Sequence, residues 1–141
     1  MSDDMLINGL NRMLAQEHAC AIRYATHAAV VTGPYAETVA ARLKEISGDE
    51  VLHAEKLRQR ILALGGTPTM DVHTEDLKPA STLKEILQIN IKEELEAIRG
   101  YTAILDTVAP SNVILFQTIQ EIIRDEQEHL EELEAFRDQP A

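Results

Sequence analysis

Two copies of the pattern Glu-x-x-His occur in this sequence, and a single glutamate lies 33 residues before the glutamate of each copy. The six residues of these two sets are Glu17, Glu50, His53, Glu93, Glu126 and His129. Each residue of the first set recurs in the second at an offset of 76. One glutamate from each of two helices, with Glu-x-x-His from each of two others, is how a helical bundle holds two iron or manganese ions.

The apolar residues recur at alternating steps of three and four, which is the period of an α-helix and predicts four helices. All six candidate ligands fall on the apolar faces of these segments. A charged side chain in a protein core is costly unless it is paired or binds a metal. Residues at i and i+3 lie about 6 Å apart on one helix face, so Glu50 and His53 can reach the same metal, as can Glu126 and His129.

Glycine and proline divide the chain into four helices with one long connection. Thr32-Gly33-Pro34 separates the first two helices, and Pro110-Ser111-Asn112 separates the last two. About 15 residues follow Gly65-Gly66 before a capping box of Thr82 and Glu85 opens the third helix. Short, long and short connections predict two antiparallel helix pairs joined by a crossover, within a single domain over residues 1–141.

The composition favours a helical globular protein and excludes two kinds of partner. Apolar residues make up 45% of the chain and aromatic residues only 4%. The net charge of −11 argues against nucleic acid and anionic membranes, because both require a basic face. No long apolar run follows the acidic start, so neither a secretory signal nor a membrane span is expected. The single cysteine, Cys20, fits a reducing compartment, and we expect the cytoplasm.

With these residues the chain resembles the ferritin-like superfamily, and most closely the bacterioferritins. The resemblance covers essentially the whole chain and implies an all-α, antiparallel four-helix bundle with one long crossover between helices 2 and 3. In bacterioferritins the residues equivalent to the six candidates form the ferroxidase centre. The resemblance therefore implies terminal carboxylates at Glu17 and Glu93, bridging carboxylates at Glu50 and Glu126, and one histidine for each metal.

Three positions depart from the bacterioferritin pattern. Val51 stands where the family has the methionine that binds haem, so no haem is expected. The chain ends 12 residues after His129, whereas bacterioferritins carry a fifth helix that lines a pore of their 24-subunit shell. We therefore expect a homo-oligomer, with a dimer favoured. Glu45 replaces a histidine that serves inner-surface iron in some bacterioferritins, although Asp49 is present.

Four further residues have alternative interpretations. Asp49 and Asp125 either accept hydrogen bonds from the histidines across the bundle or are ordinary solvated acids. Tyr24, two turns after the first ligand glutamate, either hydrogen-bonds a ligand carboxylate, donates an electron or is a satisfied core tyrosine. Glu96 either adds a carboxylate to the site or lies at its rim. The remaining histidines have no ligand spacing and are expected to be structural.

The expected function is oxidation of ferrous to ferric iron by O2 or H2O2, in iron homeostasis or detoxification. Carboxylate and imidazole ligands favour two iron ions per protomer, with manganese possible, and no thiolate lies at ligand spacing. One alternative is a rubrerythrin-like peroxidase or a di-metal oxygenase on the same scaffold, although the chain lacks the Cys-x-x-Cys pairs of a rubredoxin domain. A second is a metal-binding assembly protein without turnover.

Overall fold

Four long helices carry the apolar faces that the sequence pattern predicts. A computed structural model describes residues 3–139, in which no helix is both long and apolar enough to cross a membrane. The helices are α1 Asp3–Val30, α2 Ala36–Ala63, α3 Leu83–Leu105 and α4 Val113–Arg137. Between α2 and α3 lies the crossover, residues 64–82, with one 3-10 turn at Thr74–Asp76. The predicted all-α class, the bundle and the position of its long crossover are confirmed.

The helices end where the sequence breaks predict. Gly33 follows α1 with a φ of 118°, and Gly65 follows α2 with a φ of 87°, both in the region that favours glycine. Thr82 caps α3, because its hydroxyl oxygen accepts a hydrogen bond from the backbone N–H of Glu85 at 3.3 Å. These ends define two closely packed helix pairs, α1 with α2 and α3 with α4.

Two apolar clusters fill the bundle, one towards each end. Leu10, Tyr101 and Ile119 belong to the first cluster, and Tyr24 and Leu43 to the second. On every helix at least one buried polar residue lies between the two clusters, and together these residues form a polar middle layer. Burying a large aliphatic side chain stabilises the fold by roughly 1.5–3 kcal/mol, so these clusters must offset the desolvation of the polar middle layer.

The crossover lies along α1 and is attached to it at successive turns. The side chain of Asn11 donates to the carbonyl of Thr67 at 3.0 Å and accepts from the backbone N–H of Thr69 at 2.8 Å. Three further side chains of α1 hydrogen-bond to backbone carbonyls of the crossover: His18 to that of Asp71, Arg23 to that of Asp76 and His27 to that of Lys78. The crossover therefore covers α1 beside the polar middle layer.

Candidate metal centre

Six buried side chains converge in the polar middle layer, and every helix contributes at least one. They form two overlapping groups of four, in each of which the potential ligand atoms lie within 4.8 Å of one another. The first group is Glu17, Glu50, His53 and Glu126, and the second is Glu50, Glu94, Glu126 and His129. Because Glu50 and Glu126 belong to both groups, they are placed to be shared by two metals.

Eight atoms of these side chains are buried without a hydrogen-bond partner. They are both carboxylate oxygens of Glu50 and Glu126, one oxygen each of Glu17 and Glu94, and the Nδ1 atoms of His53 and His129. The Nδ1 atom of His53 lies 3.3 Å from an oxygen of Glu50 and of Glu126, but without the angles of a hydrogen bond. One unpaired buried polar group costs about 1–3 kcal/mol. Eight such atoms in one cluster are what a site for bound cations requires, and carboxylate oxygens with imidazole nitrogens suit iron or manganese.

The outer nitrogen of each histidine is held by an aspartate on the opposite helix pair. Nε2 of His53 lies 2.8 Å from Oδ2 of Asp125, and Nε2 of His129 lies 2.9 Å from Oδ2 of Asp49. A carboxylate there accepts a hydrogen bond from Nε2–H, which leaves Nδ1 of the neutral imidazole free to bind a metal. Of the two interpretations of these aspartates, the structure supports the contact across the bundle.

Two buried tyrosines hold the glutamates at the ends of the site. The hydroxyl of Tyr24 donates to Oε1 of Glu94 at 2.6 Å, and the hydroxyl of Tyr101 donates to Oε1 of Glu17 at 2.7 Å. Each of these carboxylates therefore has one oxygen fixed and one oxygen free. Such a bond was one of the interpretations of Tyr24 from the sequence, but Tyr101 was missed, although Glu94 and Tyr101 repeat the seven-residue spacing of Glu17 and Tyr24.

Glu93 does not enter the cluster, and its neighbour Glu94 takes the position expected for it. The carboxylate of Glu93 pairs with the ammonium of Lys78 and lies 4.0 Å from the guanidinium of Arg23. The offset of 76 relates α2 to α4, but the matching positions of α1 and α3 differ by 77. An error of one residue rotates a side chain by about 100° around the helix axis. The expectation that Glu93 joins the cluster is therefore wrong.

Two other glutamates of the sequence analysis also lie outside the cluster. Glu96 is 53% exposed and pairs with Arg99 at 2.9 Å, so it lies at the rim and not at the site. Glu45 is 68% exposed and lies 3.4 Å from Arg42. Cys20 is buried, as expected for a small apolar residue.

Protons and metals compete for this site. Burial raises the pKa of Glu50 and Glu126 well above the usual range, and the charges of neighbouring carboxylates raise it further. Burial alone would lower the pKa of His129, but the carboxylate of Glu94, 3.6 Å from its Nδ1, together with the charge of Glu50 and the contact with Asp49, raises it to about 9. The pKa of His53 shifts in the same direction. Without metal, His129 holds a proton at neutral pH, and the raised pKa values favour the protonated forms of His53, Glu50 and Glu126, so a bound metal would displace protons.

Known proteins resemble the chain in sequence and in fold. A family model described as Ferritin, ferritin-like domain, matches residues 7–140. A bacterial ferritin of Pseudomonas aeruginosa is 33% identical over 89 residues, which are 63% of this chain and only 56% of that protein.

Two solved structures share the fold over nearly the whole chain. The ferritin-like, diiron-carboxylate proteins from Bacillus anthracis match with a TM-score of 0.89 and 33% identity, covering 98% of this chain and 100% of that one. A dodecameric thioferritin, the bacterioferritin-related protein from Bacteroides fragilis, matches with a TM-score of 0.91 and 25% identity, covering 96% and 86%. The resemblance found in the sequence is confirmed by these matches.

Proposed function

This chain belongs to the ferritin-like domain family, and on that premise we propose that it oxidises ferrous iron inside its helical bundle. The proposed ligands of two iron ions per protomer are Glu17, Glu50, His53, Glu94, Glu126 and His129. The proposal rests on one observation: these six side chains converge in the bundle, and eight of their potential ligand atoms are buried without a hydrogen-bond partner. Manganese fits the same donors.

Ferrous iron is the substrate and ferric iron the product. Two ferrous ions give up two electrons together, so two Fe2+, one H2O2 and two protons yield two Fe3+ and two waters. With O2 as oxidant, two Fe2+ and two protons yield two Fe3+ and one H2O2. The positive charge at the site rises by two in either reaction. The four carboxylates stabilise this increase, because charges interact strongly in a poorly solvated interior.

The surrounding residues fix the ligands, and the ligands themselves hold the protons that iron must displace. Tyr24 and Tyr101 each fix one oxygen of Glu94 and Glu17 and leave the second oxygen of each carboxylate without a partner. The two aspartates keep the histidines in the tautomer that can bind a metal. Because bound iron replaces protons on the histidines and on the shared carboxylates, its affinity should rise with pH.

Rapid mixing of iron-loaded protein with oxidant tests this function. Protein given two Fe2+ per chain without oxygen is mixed with aerated buffer or with H2O2, and the ferric absorbance is followed. Wild type should oxidise iron faster than buffer alone. Glu50→Gln should lose this acceleration, whereas Glu45→Gln, at an exposed position of the same helix, should keep it. A wild-type rate no faster than that of buffer would show a metal-binding protein without turnover.

The proposed function also has an expected oligomeric state and cellular location. We propose a cytoplasmic homo-oligomer, with a dimer favoured and without haem, because Val51 has no thioether to bind one. The related Bacteroides fragilis protein is dodecameric, so a shell of that size is the competing outcome. Light scattering measures the mass in solution, and the visible spectrum of protein from haem-supplemented cells shows whether a stoichiometric Soret band is present.

A further inference from the structure

A cavity of about 380 Å³ opens beside the metal centre, between α1, α2 and the crossover. We call it the crossover cavity. Its lining includes the ligand Glu17, the small side chains of Ala21 and Ala54, and the apolar side chains of Val51 and Met70. A water molecule occupies about 30 Å³ in the liquid, so the cavity can hold a molecule of several heavy atoms. It reaches one of the proposed ligands from outside the bundle.

The other half of the bundle has larger side chains at the matching positions. The offsets that relate the ligands of the two halves pair Ala21 with Ile98 and Ala54 with Leu130. Leu130 is only 6% exposed, so its side chain fills space inside the bundle where Ala54 leaves room. The opening therefore follows from small residues in one half and not from the repeated architecture.

Charges around the cavity disfavour a cation. Its lining includes Arg58 and His18, whose side chains lie 2.8 Å apart, and Glu17 is its one carboxylate. The face formed by α2 and α4 has the opposite character. Asp49 and Asp125, which hold the two histidines, are 38% and 42% exposed there. Carboxylates of this kind raise the local concentration of cations, whereas a guanidinium beside apolar walls does not.

We propose, building on the iron-oxidising function, that the crossover cavity admits the oxidant while ferrous iron enters between α2 and α4. Both O2 and H2O2 are small and uncharged. H2O2 gives up hydrogen bonds to water on passing apolar walls, but neither oxidant must shed the tightly held water shell of an ion. Hydrated Fe2+ must do so, and the exposed aspartates offer oxygen atoms in exchange. The two substrates thus reach the same centre from different sides.

Filling the cavity should slow the oxidation of bound iron without changing the binding of Fe2+. Ala21→Ile introduces the side chain of the matching position on α3, and Ala29→Ile adds the same side chain at an exposed position of α1. Both variants should bind Fe2+ anaerobically as wild type does. Oxidation by Ala21→Ile should be several-fold slower with O2 and with H2O2, and slowest with the bulkier tert-butyl hydroperoxide. Ala29→Ile should match wild type with all three.

Dissolved O2 gives a measurement that needs no turnover. Oxygen is paramagnetic and speeds the NMR relaxation of methyl groups that it approaches. In metal-free protein the effect should be larger at Ala54 than at buried Ala19, and larger at Val51 than at the comparably exposed Val113. Ala21→Ile should remove both differences. The same assay detects a cavity that admits O2 even if the wild type binds iron and fails to oxidise it, which would refute only the proposed function.

Two results overturn the cavity proposal. One is wild-type oxidation rates in Ala21→Ile with all three oxidants. The other is equal relaxation at Ala54 and Ala19, and at Val51 and Val113, in the wild type. A rate lowered for O2 alone, or for the peroxides alone, supports the proposal and identifies which oxidant uses the cavity.

Discussion

Two adjacent glutamates of α3 have opposite surroundings. Glu94 is 1% exposed, and its Oε1 accepts a hydrogen bond from Tyr24 and lies 3.6 Å from Nδ1 of His129, while its second oxygen has no partner. Glu93 is 8% exposed, and two cations, Lys78 and Arg23, lie beside its carboxylate. A carboxylate already neutralised by two cations is a poor metal ligand, whereas one with a buried, unpartnered oxygen is stabilised by a bound cation. Glu94 is therefore the proposed ligand.

The pair of variants Glu94→Gln and Glu93→Gln tests this assignment, because each removes one negative charge at almost the same place. Glu94→Gln should weaken Mn2+ binding by more than about tenfold, since losing even an outer partner of a metal ligand costs about 10–100-fold. Glu93→Gln should leave the affinity unchanged. Free Mn2+ is measured by its EPR signal during titration. Equal weakening by the two variants would contradict the assignment.

The sequence identified most of the cluster but not the exact residue on α3. Glu-x-x-His fixes its two ligands on one helix face, so Glu50, His53, Glu126 and His129 could be predicted. Glu93 and Glu94 are both buried, so apolar periodicity alone could not choose between them. The seven-residue spacing to a tyrosine was the signal that distinguished them. The contacts of the histidines with aspartates depend on distances between helices, which local pattern does not set.

At the scale of the elements, Arg23 joins three parts of the fold. Its guanidinium donates to Oδ1 of Asn90 on α3 at 2.9 Å and to the carbonyl of Asp76 in the crossover at 3.0 Å. Asn90 in turn donates to His27 of α1 at 2.9 Å. Arg23 itself is 2% exposed. Buried polar groups of this kind are costly once a partner is removed, so the network should matter for stability.

Replacing Arg23 by Met should destabilise the apo-protein by about 3 kcal/mol, because the buried Asn90 side chain and the part-buried Asp76 carbonyl lose their donor. Arg12→Met, at an exposed position of the same helix, should change stability by less than about 0.5 kcal/mol. Urea unfolding followed by circular dichroism measures both. Similar midpoints for the two variants would show that the network contributes nothing.

The helix boundaries were predictable, but the path of the crossover was not. Gly33, Gly65 and the capping box at Thr82 marked the ends of helices in the sequence. His18 and His27 were expected to be structural, and both bond crossover carbonyls, of Asp71 and Lys78. Their partners lie 53 and 51 residues away along the chain, a separation at which no local periodicity can pair them.

For the whole molecule, the polar layer links stability to pH. Burial and neighbouring carboxylates keep Glu50 and Glu126 protonated in the folded apo-protein above 4.5, the ordinary pKa of a glutamate. The unfolded chain ionises first, so stability falls as pH rises through the raised pKa values. The raised pKa of His129, about 9, acts in the same direction, because its contribution is lost as pH rises from 6.5 through 9. His27 has a pKa lowered by burial, so its smaller contribution has the opposite sign below 6.5.

The melting temperature of apo-protein should therefore fall from pH 5 to pH 9. The melting temperature of Glu50→Gln, whose new side chain cannot ionise, should fall less steeply with pH. The melting temperature of Glu45→Gln should fall as that of wild type does. Added Mn2+ should raise the melting temperature of wild type most at the alkaline end, because binding to the folded state stabilises it by mass action. Differential scanning calorimetry at several pH values measures these slopes. A wild-type slope that is flat or rising, or one unchanged in Glu50→Gln, would be inconsistent with a repulsive polar layer.

In the proposed function, one chain binds two metals with ligands from its own four helices. Anaerobic titration of apo-protein with ferrous iron, at a protein concentration well above the dissociation constant, measures this stoichiometry. We expect saturation at two Fe2+ per chain, whatever the number of chains in the assembly. Saturation at one Fe2+ per chain, or at one per two chains, would contradict a two-metal site within the protomer.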